Sequence, residues 1–413
     1  MPGTKLISLY STVFPMKNSS TLSDDTRNSR KFRVLILGFA YIVQVYQSKL
    51  KALQNSGHVD VAWLAPTKWK MRTWNRTIPL HRRYHDFLVF PVNVRFLNGV
   101  NGGYLYPIMP LLDVMRRFKP DVLHYEQEVF SLSAFQAALL ARLLRIPLTV
   151  FCWENIEKKL SFYRKWTTNF VLNTAGAIVA GNTEAAMILR TWGYRRAILI
   201  MPQIGVDTGL FFRRNQIENQ PLLTIGYVGR LVPEKGIELI FEAAKQLLGS
   251  GISFRIIICG AGSHEQTLRK YAKQLGVDRQ ISWLGAIAHD GIPDIMAGMD
   301  VVVLPSRTLQ GRWKEQFGHV LIEAMAMGIP VIGSNSGAIP EVIGRNDLIF
   351  PENSSEALTE ILEKLAADRK WKNEVSTFLE NRAISEYSDQ EIAARLAIMW
   401  RDVVDEKRTP YLF

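Results

Sequence analysis

Two glutamates, Glu315 and Glu323, lie eight residues apart and bracket a Phe-Gly pair that leads into a short helix. Eight helical steps would separate them by about 12 Å along the axis and would place them on different faces. Because Gly318 interrupts such a helix, we predict that Glu315 lies in a loop and Glu323 in the second turn of the helix that follows. Two carboxylates placed in this way can hold the two ends of one elongated polar ligand, with the positive helix N-terminus between them. A structural alternative stays open, in which Glu315 is exposed and Glu323 caps a helix or pairs with a lysine.

A second candidate site lies upstream, where an apolar strand ends at Gly229 and a helix begins near Gly236. Arg230 and Lys235 stand between these two points. Glycine lets a ligand approach the backbone, a helix N-terminus offers N–H groups, and two cations add charge-assisted hydrogen bonds. This combination predicts a diphosphate site, whereas the structural alternative makes Arg230 and Lys235 solvated turn residues.

Composition describes a globular protein with a basic surface. The chain has 413 residues, 47% of them apolar, which is enough for two domains with packed cores and argues against global disorder. Fifty Lys and Arg against 38 Asp and Glu give a net charge of +12 and favour anionic partners. The two cysteines, Cys152 and Cys259, are too far apart in sequence to indicate a disulfide framework or a metal motif, and they fit a reducing compartment.

Targeting and membrane-spanning signals are weak. Residues 1–30 are rich in Ser, Thr and Asn and lack the apolar core of a secretory leader, so we expect a flexible arm. The most apolar stretch, Ala134–Trp153, contains two arginines and a proline, which predicts a helix, a turn and a buried strand instead of a membrane span. We therefore expect a cytoplasmic protein, with peripheral contact at the inner membrane face as an open alternative.

The coarse pattern is an alternation of apolar strands and helices that occurs twice. It begins at Arg33–Gly38 and restarts at Leu222–Gly229, which predicts two doubly wound α/β domains with ligands at the carboxyl ends of the strands. The final helix, Asp389–Val404, has an apolar stripe that we expect to pack back onto the first domain. The predicted segments are an arm (1–31), a first domain (32–205), a linker (206–221), a second domain (222–387), and a helix with a tail (388–413).

Several motifs of the second half resemble the retaining glycosyltransferases of family 4, which have the GT-B fold. The resemblance covers most of residues 222–387 and is looser in the first half. Its strongest elements are Gly229-Arg230-Leu231, Glu234-Lys235-Gly236, Gly260-Ala261-Gly262, Trp283-Leu284-Gly285, Leu304-Pro305-Ser306, the E-x7-E motif of Glu315 and Glu323, and Ser336-Gly337-Ala338-Ile339-Pro340-Glu341.

The resemblance implies a GT-B fold, two Rossmann-like domains facing a cleft, and transfer of a hexose-type sugar with retention of anomeric configuration. The donor would be a nucleotide sugar, a UDP- or GDP-sugar, bound by the second domain. The acceptor, a saccharide or a lipid-linked molecule of glycan or glycolipid synthesis, would be bound by the first domain. Members of this fold generally need no bound metal, and the sequence contains no metal-binding cluster; Asp24-Asp25 falls in the predicted arm, away from any strand end.

The resemblance also implies roles for individual residues. Arg230 and Lys235 would bind the donor diphosphate and offset the charge of the leaving group, Glu315 would hold hydroxyls of the transferred sugar, and Glu323 would bind the ribose. The backbone of Gly229 and of Phe317-Gly318-His319 would contact the donor. We count Arg230, Lys235 and Glu315 as the catalytic candidates.

The first domain departs from the family pattern. Gly38 is followed by Phe39 where many members have a second glycine, and Cys152-Trp153-Glu154-Asn155 occupies a loop where many have a histidine that contacts the transferred sugar. Candidate acceptor or sugar contacts are therefore His124, Glu126, Glu154 and Asn155. For His124 a structural role in the core is an equal alternative, and Cys152 is expected to be a core residue and not a nucleophile.

Basic residues interleaved with tryptophan in residues 67–84 suit an anionic lipid surface. The alternative is a solvated basic loop whose tryptophans pack inward, and no nucleic-acid-binding module accompanies the segment. Other functions also stay open: a sugar-nucleotide epimerase or a phosphorylase of the same fold, or a nucleotide-sugar-binding protein without turnover. A nicotinamide dehydrogenase is disfavoured, since the three-glycine fingerprint is missing after Gly38.

Overall fold

A computed structural model describes residues 31–71, 76–96, 103–214 and 222–408. Residues 1–30 of the predicted arm, residues 215–221 of the predicted linker and residues 409–413 of the tail lie outside the described residues, as does Trp74 of the basic segment. The chain divides into two compact units: the first runs to Ile204 and returns at Asp389, and the second is Gly205–Ser388.

The first unit is built on a parallel sheet of seven strands, with a separate two-stranded antiparallel hairpin. Its central strands are short apolar runs that are buried on both faces, as parallel sheets require. In chain order, the strands of this unit are β1 (Phe32–Leu37), β2 (Val59–Pro66), the hairpin strands β3 (Lys68–Met71) and β4 (Arg76–Pro79), β5 (Leu88–Val92), β6 (Val122–Glu126), β7 (Leu148–Cys152), β8 (Ala175–Ala180) and β9 (Ala197–Ile200). The spatial order of the sheet is β5-β2-β1-β6-β7-β8-β9.

Helices α1 (Gln47–Asn55), α2 (Ile108–Phe118), α3 (Leu132–Leu143), α4 (Phe162–Thr174) and α5 (Thr183–Thr191) connect these strands. Asn182 caps the N-terminus of α5, since its side chain accepts a hydrogen bond from the Ala185 amide at 2.8 Å. Ala40–Ile42 and Gln44–Tyr46 form two 3-10 turns, and α1 begins only at Gln47. The β-branched residues of this stretch, Ile42, Val43 and Val45, have low helix propensity, which favours the later start.

The second unit is built on a parallel sheet of six strands in the order β12-β11-β10-β13-β14-β15. The strands are β10 (Leu223–Val228), β11 (Phe254–Cys259), β12 (Ile281–Gly285), β13 (Val301–Leu304), β14 (Val331–Ser334) and β15 (Ile349–Phe350). The helices are α6 (Glu238–Gly249), α7 (Glu265–Leu275), α8 (Ile292–Met296), α9 (His319–Ala326), α10 (Ile339–Ile343), α11 (Ser355–Ala367) and α12 (Arg369–Tyr387).

Each sheet has one point at which the strand order reverses. In the first sheet the chain builds outward from β1 through β2 to β5 and then restarts beside β1 with β6. In the second it builds from β10 through β11 to β12 and restarts beside β10 with β13. Loops leave the carboxyl ends of the two strands in opposite directions at such a point and open a crevice for ligands. The two candidate ligand sites are therefore the carboxyl ends of β1 and β6 and the carboxyl ends of β10 and β13. These are called the β1/β6 edge and the β10/β13 edge of the sheets.

The last helix, α13 (Asp389–Arg408), packs on the first unit, as predicted. Its apolar stripe of Ile392, Leu396, Met399 and Val403 is buried in the same cluster as Val34 of β1. Among the residues that the structure describes, no helix combines the length and the apolar character needed to cross a membrane.

Candidate functional site

Lys235 lies at the β10/β13 edge of the second sheet, at the end of a 3-10 turn that follows β10. The next residue, Gly236, has φ +60°, and a Cβ atom there would lie 2.2 Å from the carbonyl oxygen of Pro305. The backbone amide of Arg307 also donates to the carbonyl of Glu234 at 2.8 Å. The loop after β10 is thus held tightly against the loop after β13, and only glycine permits this approach.

The carboxylate of Glu315 meets Lys235 across this junction. The Lys235 ammonium donates to Glu315 Oε2, and the Ser306 hydroxyl donates to the same oxygen at 2.7 Å. The Lys235 Nζ also lies 5.1 Å from the centre of the Trp313 ring. Side-chain exposure is 12% for Lys235 and 9% for Glu315, so the pair is mostly buried but keeps an opening to solvent.

The backbone of Glu315 is fixed by the loop after β14. Its carbonyl oxygen accepts a hydrogen bond from the Ala338 amide at 3.0 Å. At Gly337 (φ +53°) a Cβ atom would lie 2.0 Å from that oxygen. Three successive loops of the sheet, after β10, β13 and β14, therefore position one lysine–glutamate pair. Ser306 and Gly337 belong to motifs quoted above, but their contacts with Glu315 were not predicted.

The charge state of Glu315 follows from its partners. Burial alone would raise the pKa of its carboxyl, but the Lys235 ammonium, the Ser306 hydroxyl and the charge of Arg230 hold the pKa below its usual value. Glu315 is therefore an anion at neutral pH, and it can accept hydrogen bonds but not donate them.

Arg230 lies in the loop after β10 and keeps an exposed guanidinium, 3.8 Å from the Glu234 carboxylate. Its backbone carbonyl accepts a hydrogen bond from the buried Tyr227 hydroxyl at 2.7 Å. The backbone amide of Gly229, just before it, donates to the carbonyl of Cys259 at 2.9 Å, at the end of the neighbouring strand β11. The role of Gly229 and Arg230 in binding a diphosphate stays a prediction.

Helix α9 carries the second glutamate of the pair. Gly318, at φ +83°, is the N-cap and His319 is the first helical residue, so Glu323 lies in the second turn and Glu315 in the loop, as predicted. Phe317 is buried, with its ring centre 5.1 Å from the His319 ring and 5.6 Å from the Tyr387 ring. These contacts fix the turn from which the helix begins.

Glu323 has a partner that the sequence did not indicate. Its Oε1 lies 2.8 Å from Nε2 of His289, a residue in the 3-10 turn before α8. The ring centre of His289 lies 5.3 Å from that of Phe211. Thirty-four residues separate Glu323 from His289, and no local pattern links the two positions. In the predicted ribose contact, the Glu323 carboxylate would accept hydrogen bonds beside the one from His289.

In the first unit, His124 and Glu126 lie at the β1/β6 edge and are enclosed. Glu126 accepts hydrogen bonds from Tyr41 and Lys49, each at 2.7 Å, and from Gln203 at 3.0 Å. Burial alone would raise the pKa of Glu126, but Lys49 and His124 hold it well below its usual value.

His124 has bonds on both sides of its ring. Nδ1 lies 2.8 Å from the Thr149 hydroxyl, and Nε2 lies 3.4 Å from Glu126. Burial lowers the pKa of His124. The observed contacts therefore support a structural role for His124 in the core. That His124 and Glu126 contact the sugar or the acceptor stays a prediction.

Glu154 and Asn155 follow β7 and are also buried. Glu154 pairs with Lys158, four residues along the chain, and Asn155 donates to Glu184 at 3.3 Å. Beside them, Glu128 accepts hydrogen bonds from the Cys152 thiol at 2.8 Å and from the Trp153 amide at 3.0 Å. Burial raises the pKa of Glu128 to about 7. Burial also raises the pKa of the Cys152 thiol, as expected of a core residue.

Part of the basic segment of residues 67–84 forms the β3–β4 hairpin. Trp69 is buried, and its ring stacks on Phe39 with the ring centres 3.9 Å apart. Lys68 and Lys70, on either side of it, are exposed. Trp69 therefore packs inward, as the structural alternative for this segment predicted. Among the described residues, no group of three or more His, Cys, Asp or Glu side chains is arranged to hold a metal ion.

Two family models match adjacent stretches of the chain. The model described as glycosyl transferases group 1 matches residues 210–382, and the model described as Glycosyltransferase Family 4 matches residues 46–209. The first match contains Arg230, Lys235, Glu315 and Glu323, and the second contains most of the first unit.

Curated relatives align over part of their length. A glycosyltransferase named for colanic acid biosynthesis in Salmonella typhimurium is 29% identical over 219 residues, 52% of this chain and 54% of that protein. A GDP-mannose-dependent alpha-(1-6)-phosphatidylinositol monomannoside mannosyltransferase of Mycobacterium tuberculosis is 32% identical over 178 residues, 40% of this chain and 46% of that enzyme. The chain thus spans about half the length of these relatives.

Among solved structures, HepE of Anabaena in complex with UDP superimposes with a TM-score of 0.66. It is 16% identical, and the match covers 90% of this chain and 100% of that chain. At this identity the likeness establishes the fold, two Rossmann-like units with parallel sheets.

Proposed function

We propose that this chain, which has a GT-B fold and which family models for glycosyl transferases group 1 and Glycosyltransferase Family 4 match, transfers a hexose-type sugar from a nucleotide sugar to an acceptor, with retention of anomeric configuration. The acceptor is a saccharide or a lipid-linked molecule of glycan or glycolipid synthesis. The observation that carries the proposal is the Lys235–Glu315 pair, which lies where the strand order of the second sheet reverses and remains partly open to solvent.

The proposed ligand is one elongated molecule, and the site residues bind its successive parts. Lys235 and Arg230 bind the diphosphate, the Glu315 carboxylate accepts hydrogen bonds from hydroxyls of the transferred sugar, and Glu323 accepts them from the ribose. A lysine ammonium has three N–H donors, so Lys235 can keep Glu315 as a partner while it binds a phosphate oxygen. The UDP bound to HepE supports a nucleotide as the ligand of this fold.

The chemistry needs charge stabilisation at one place. The bond between the anomeric carbon and the diphosphate oxygen breaks, an oxocarbenium-like centre develops, and negative charge accumulates on the diphosphate. Lys235 and Arg230 stabilise that charge, which is larger in the transition state than in the bound donor. The acceptor hydroxyl oxygen bonds to the anomeric carbon from the same face, and its proton passes to the departing diphosphate. No protein nucleophile is required.

A panel of UDP- and GDP-sugars tests the proposal. A true donor at about 100 times its dissociation constant should stabilise the folded protein by about 2.7 kcal/mol, and slow hydrolysis or transfer should accompany the stabilisation. NMR of the product should show the anomeric configuration of the donor, and excess chelator should leave the rate unchanged.

Other results would contradict specific parts of the proposed function. Tight donor binding with neither hydrolysis nor transfer would indicate a non-catalytic binding protein. An epimerised nucleotide sugar, or phosphate-dependent cleavage of a glycan, would indicate one of the other enzymes of this fold. Strict dependence on an added metal ion would contradict metal independence.

A further inference from the structure

Helices α3 and α4 of the first unit present large apolar side chains to solvent. Phe162 is 89% exposed, Trp166 is 50% exposed and Tyr163 is 51% exposed, all on α4. On α3, Leu143 is 68% exposed and Leu139 is also exposed. Exposed apolar residues that occur singly are ordinary, but a contiguous group of them marks an interaction surface.

The spacing of these residues places them in rows. Phe162, Trp166 and Phe170 are four residues apart on α4, and Phe135, Leu139 and Leu143 are four residues apart on α3. Side chains four residues apart lie on one face of a helix. The two rows meet, because the Phe135 ring centre lies 5.0 Å from those of both Trp166 and Phe170. Trp166 is therefore held in place by neighbouring rings while half of it faces solvent.

Positive charge surrounds the two rows. Neither helix contains an acidic residue, and between Ser131 and Thr174 the chain has six basic side chains against two acidic ones. All six basic residues are exposed: Arg142, Arg145, Lys158, Lys159, Arg164 and Lys165. The Arg142 guanidinium lies 5.6 Å from the Phe170 ring, so cations and aromatic rings intermingle on this surface.

From this arrangement we infer that the α3–α4 surface, defined by Leu139, Leu143, Phe162, Tyr163 and Trp166 with the six basic residues around them, docks the protein on an anionic lipid bilayer. Aromatic rings enter the headgroup region while lysine and arginine contact lipid phosphates. A second copy of the chain fits poorly, since a symmetric dimer through this face would bring like charges together. The surface is distinct from the β3–β4 hairpin, whose Trp69 is buried.

The inference does not rest on the proposed sugar transfer, and its test measures no enzyme activity. The full chain is sedimented with sucrose-loaded vesicles made of equal parts of phosphatidylglycerol and phosphatidylcholine, and with vesicles of phosphatidylcholine alone. We expect binding to the mixed vesicles that is at least tenfold stronger than to the neutral ones and that weakens with added salt.

Two variants of α4 and one matched control locate the surface. Arg164→Glu with Lys165→Glu should weaken binding to the mixed vesicles by about 30-fold or more. Each basic residue near an anionic membrane raises the binding affinity about fivefold. Phe162→Ala with Trp166→Ala should weaken it about tenfold or more. The control, Lys68→Glu with Lys70→Glu, reverses two exposed lysines of the hairpin and should change binding less than threefold. Phe162→Ala alone serves if the double variant unfolds, because that side chain is almost fully exposed.

Three results would overturn the inference. The first is unchanged sedimentation of both α4 variants, and the second is loss of binding in the hairpin control. The third is a different occupant of the surface: a concentration-dependent dimer that the α4 variants abolish, or tighter binding to a single-stranded RNA oligonucleotide than to the mixed vesicles.

Discussion

Each unit has a lysine–glutamate pair at the point where its strand order reverses. In the first unit Lys49, on the helix after β1, pairs with Glu126 at the end of β6, at 2.7 Å and with side-chain exposures of 1% and 0%. In the second unit Lys235, in the loop after β10, pairs with Glu315, in the loop after β13, with exposures of 12% and 9%. The chemical groups and their places in the sheets correspond, but the surroundings differ.

The difference lies in how completely other protein groups enclose the two charged side chains. Lys49 also donates to the Gln203 carbonyl at 2.7 Å, and Glu126 also accepts from Tyr41 and Gln203. Around Glu315 the Ser306 hydroxyl donates a hydrogen bond at 2.7 Å, and Trp313 covers part of the lysine. An enclosed pair holds its unit together, whereas a pair with an opening can accept an anionic ligand beside the lysine.

The largest expected effect concerns the enclosed pair. Lys49→Met leaves the Glu126 carboxylate buried without its main cation, which should lower the free energy of unfolding by about 3–5 kcal/mol. Urea denaturation of the full chain measures the loss. Lys51→Met, on the same helix and partly exposed, is the matched control. Equal stability of the two variants would contradict a structural role for Lys49, and adding Glu126→Gln to Lys49→Met should recover part of the loss.

The open pair should matter most for catalysis. Lys235→Ala should lower kcat/KM about 100- to 1,000-fold, because a preorganised charge at the leaving diphosphate is lost. The measurement is steady-state transfer with the donor found in the panel, together with UDP or GDP binding by calorimetry. Lys245→Ala, an exposed lysine of α6, is the control. Since Glu315 also loses its partner, thermal unfolding of Lys235→Ala must confirm a folded protein at the assay temperature.

A smaller effect is expected at Glu323, in the second turn of α9. Glu323→Gln should raise KM for the donor about tenfold with little change in kcat, because hydrogen bonds from the ribose to a carboxylate contribute equally before and during the reaction. Glu360→Gln, an exposed glutamate of α11, controls for the loss of one charge. A fall in kcat with unchanged KM would place Glu323 at the reacting centre instead.

The smallest effect is a pH dependence. Glu128 accepts hydrogen bonds from a thiol and a backbone amide instead of from a lysine, and burial raises its pKa from the ordinary 4.5 to about 7. The folded protein therefore binds the proton more tightly than the unfolded chain does. This contribution to stability is fully present below pH 4.5 and is lost as the pH rises through about 7.

Glu128→Gln should flatten that loss. Thermal unfolding between pH 5 and pH 8 should show a smaller decline for the variant than for the parent, and Glu157→Gln, an exposed neighbour, should behave like the parent. An identical decline in Glu128→Gln and the parent would show that Glu128 titrates near its ordinary value.

Local patterns predicted much of this molecule. Apolar runs such as Arg33–Gly38 and Leu222–Gly229 predicted buried strands, because only residues buried on both faces of a sheet are continuously apolar. Gly318 predicted that Glu315 and Glu323 lie on two different elements, and the stripe of α13 predicted that this helix is buried. The hairpin and the short strand β15 were not predicted, since two to four residues carry too little periodicity.

The amino-acid sequence by itself determined the two parallel sheets, the placement of Arg230, Lys235, Glu315 and Glu323 near strand ends, and the likeness to a glycosyltransferase family, because these depend on residue types at short spacings. Only the tertiary structure decided the partners. Glu126 is 77 residues from Lys49, and Glu315 is 80 residues from Lys235. Whether such a pair is enclosed or open depends on loops from several strands that meet at one sheet edge. Burial of Trp69 and exposure of Trp166 were likewise decided by packing, which no short stretch of sequence contains.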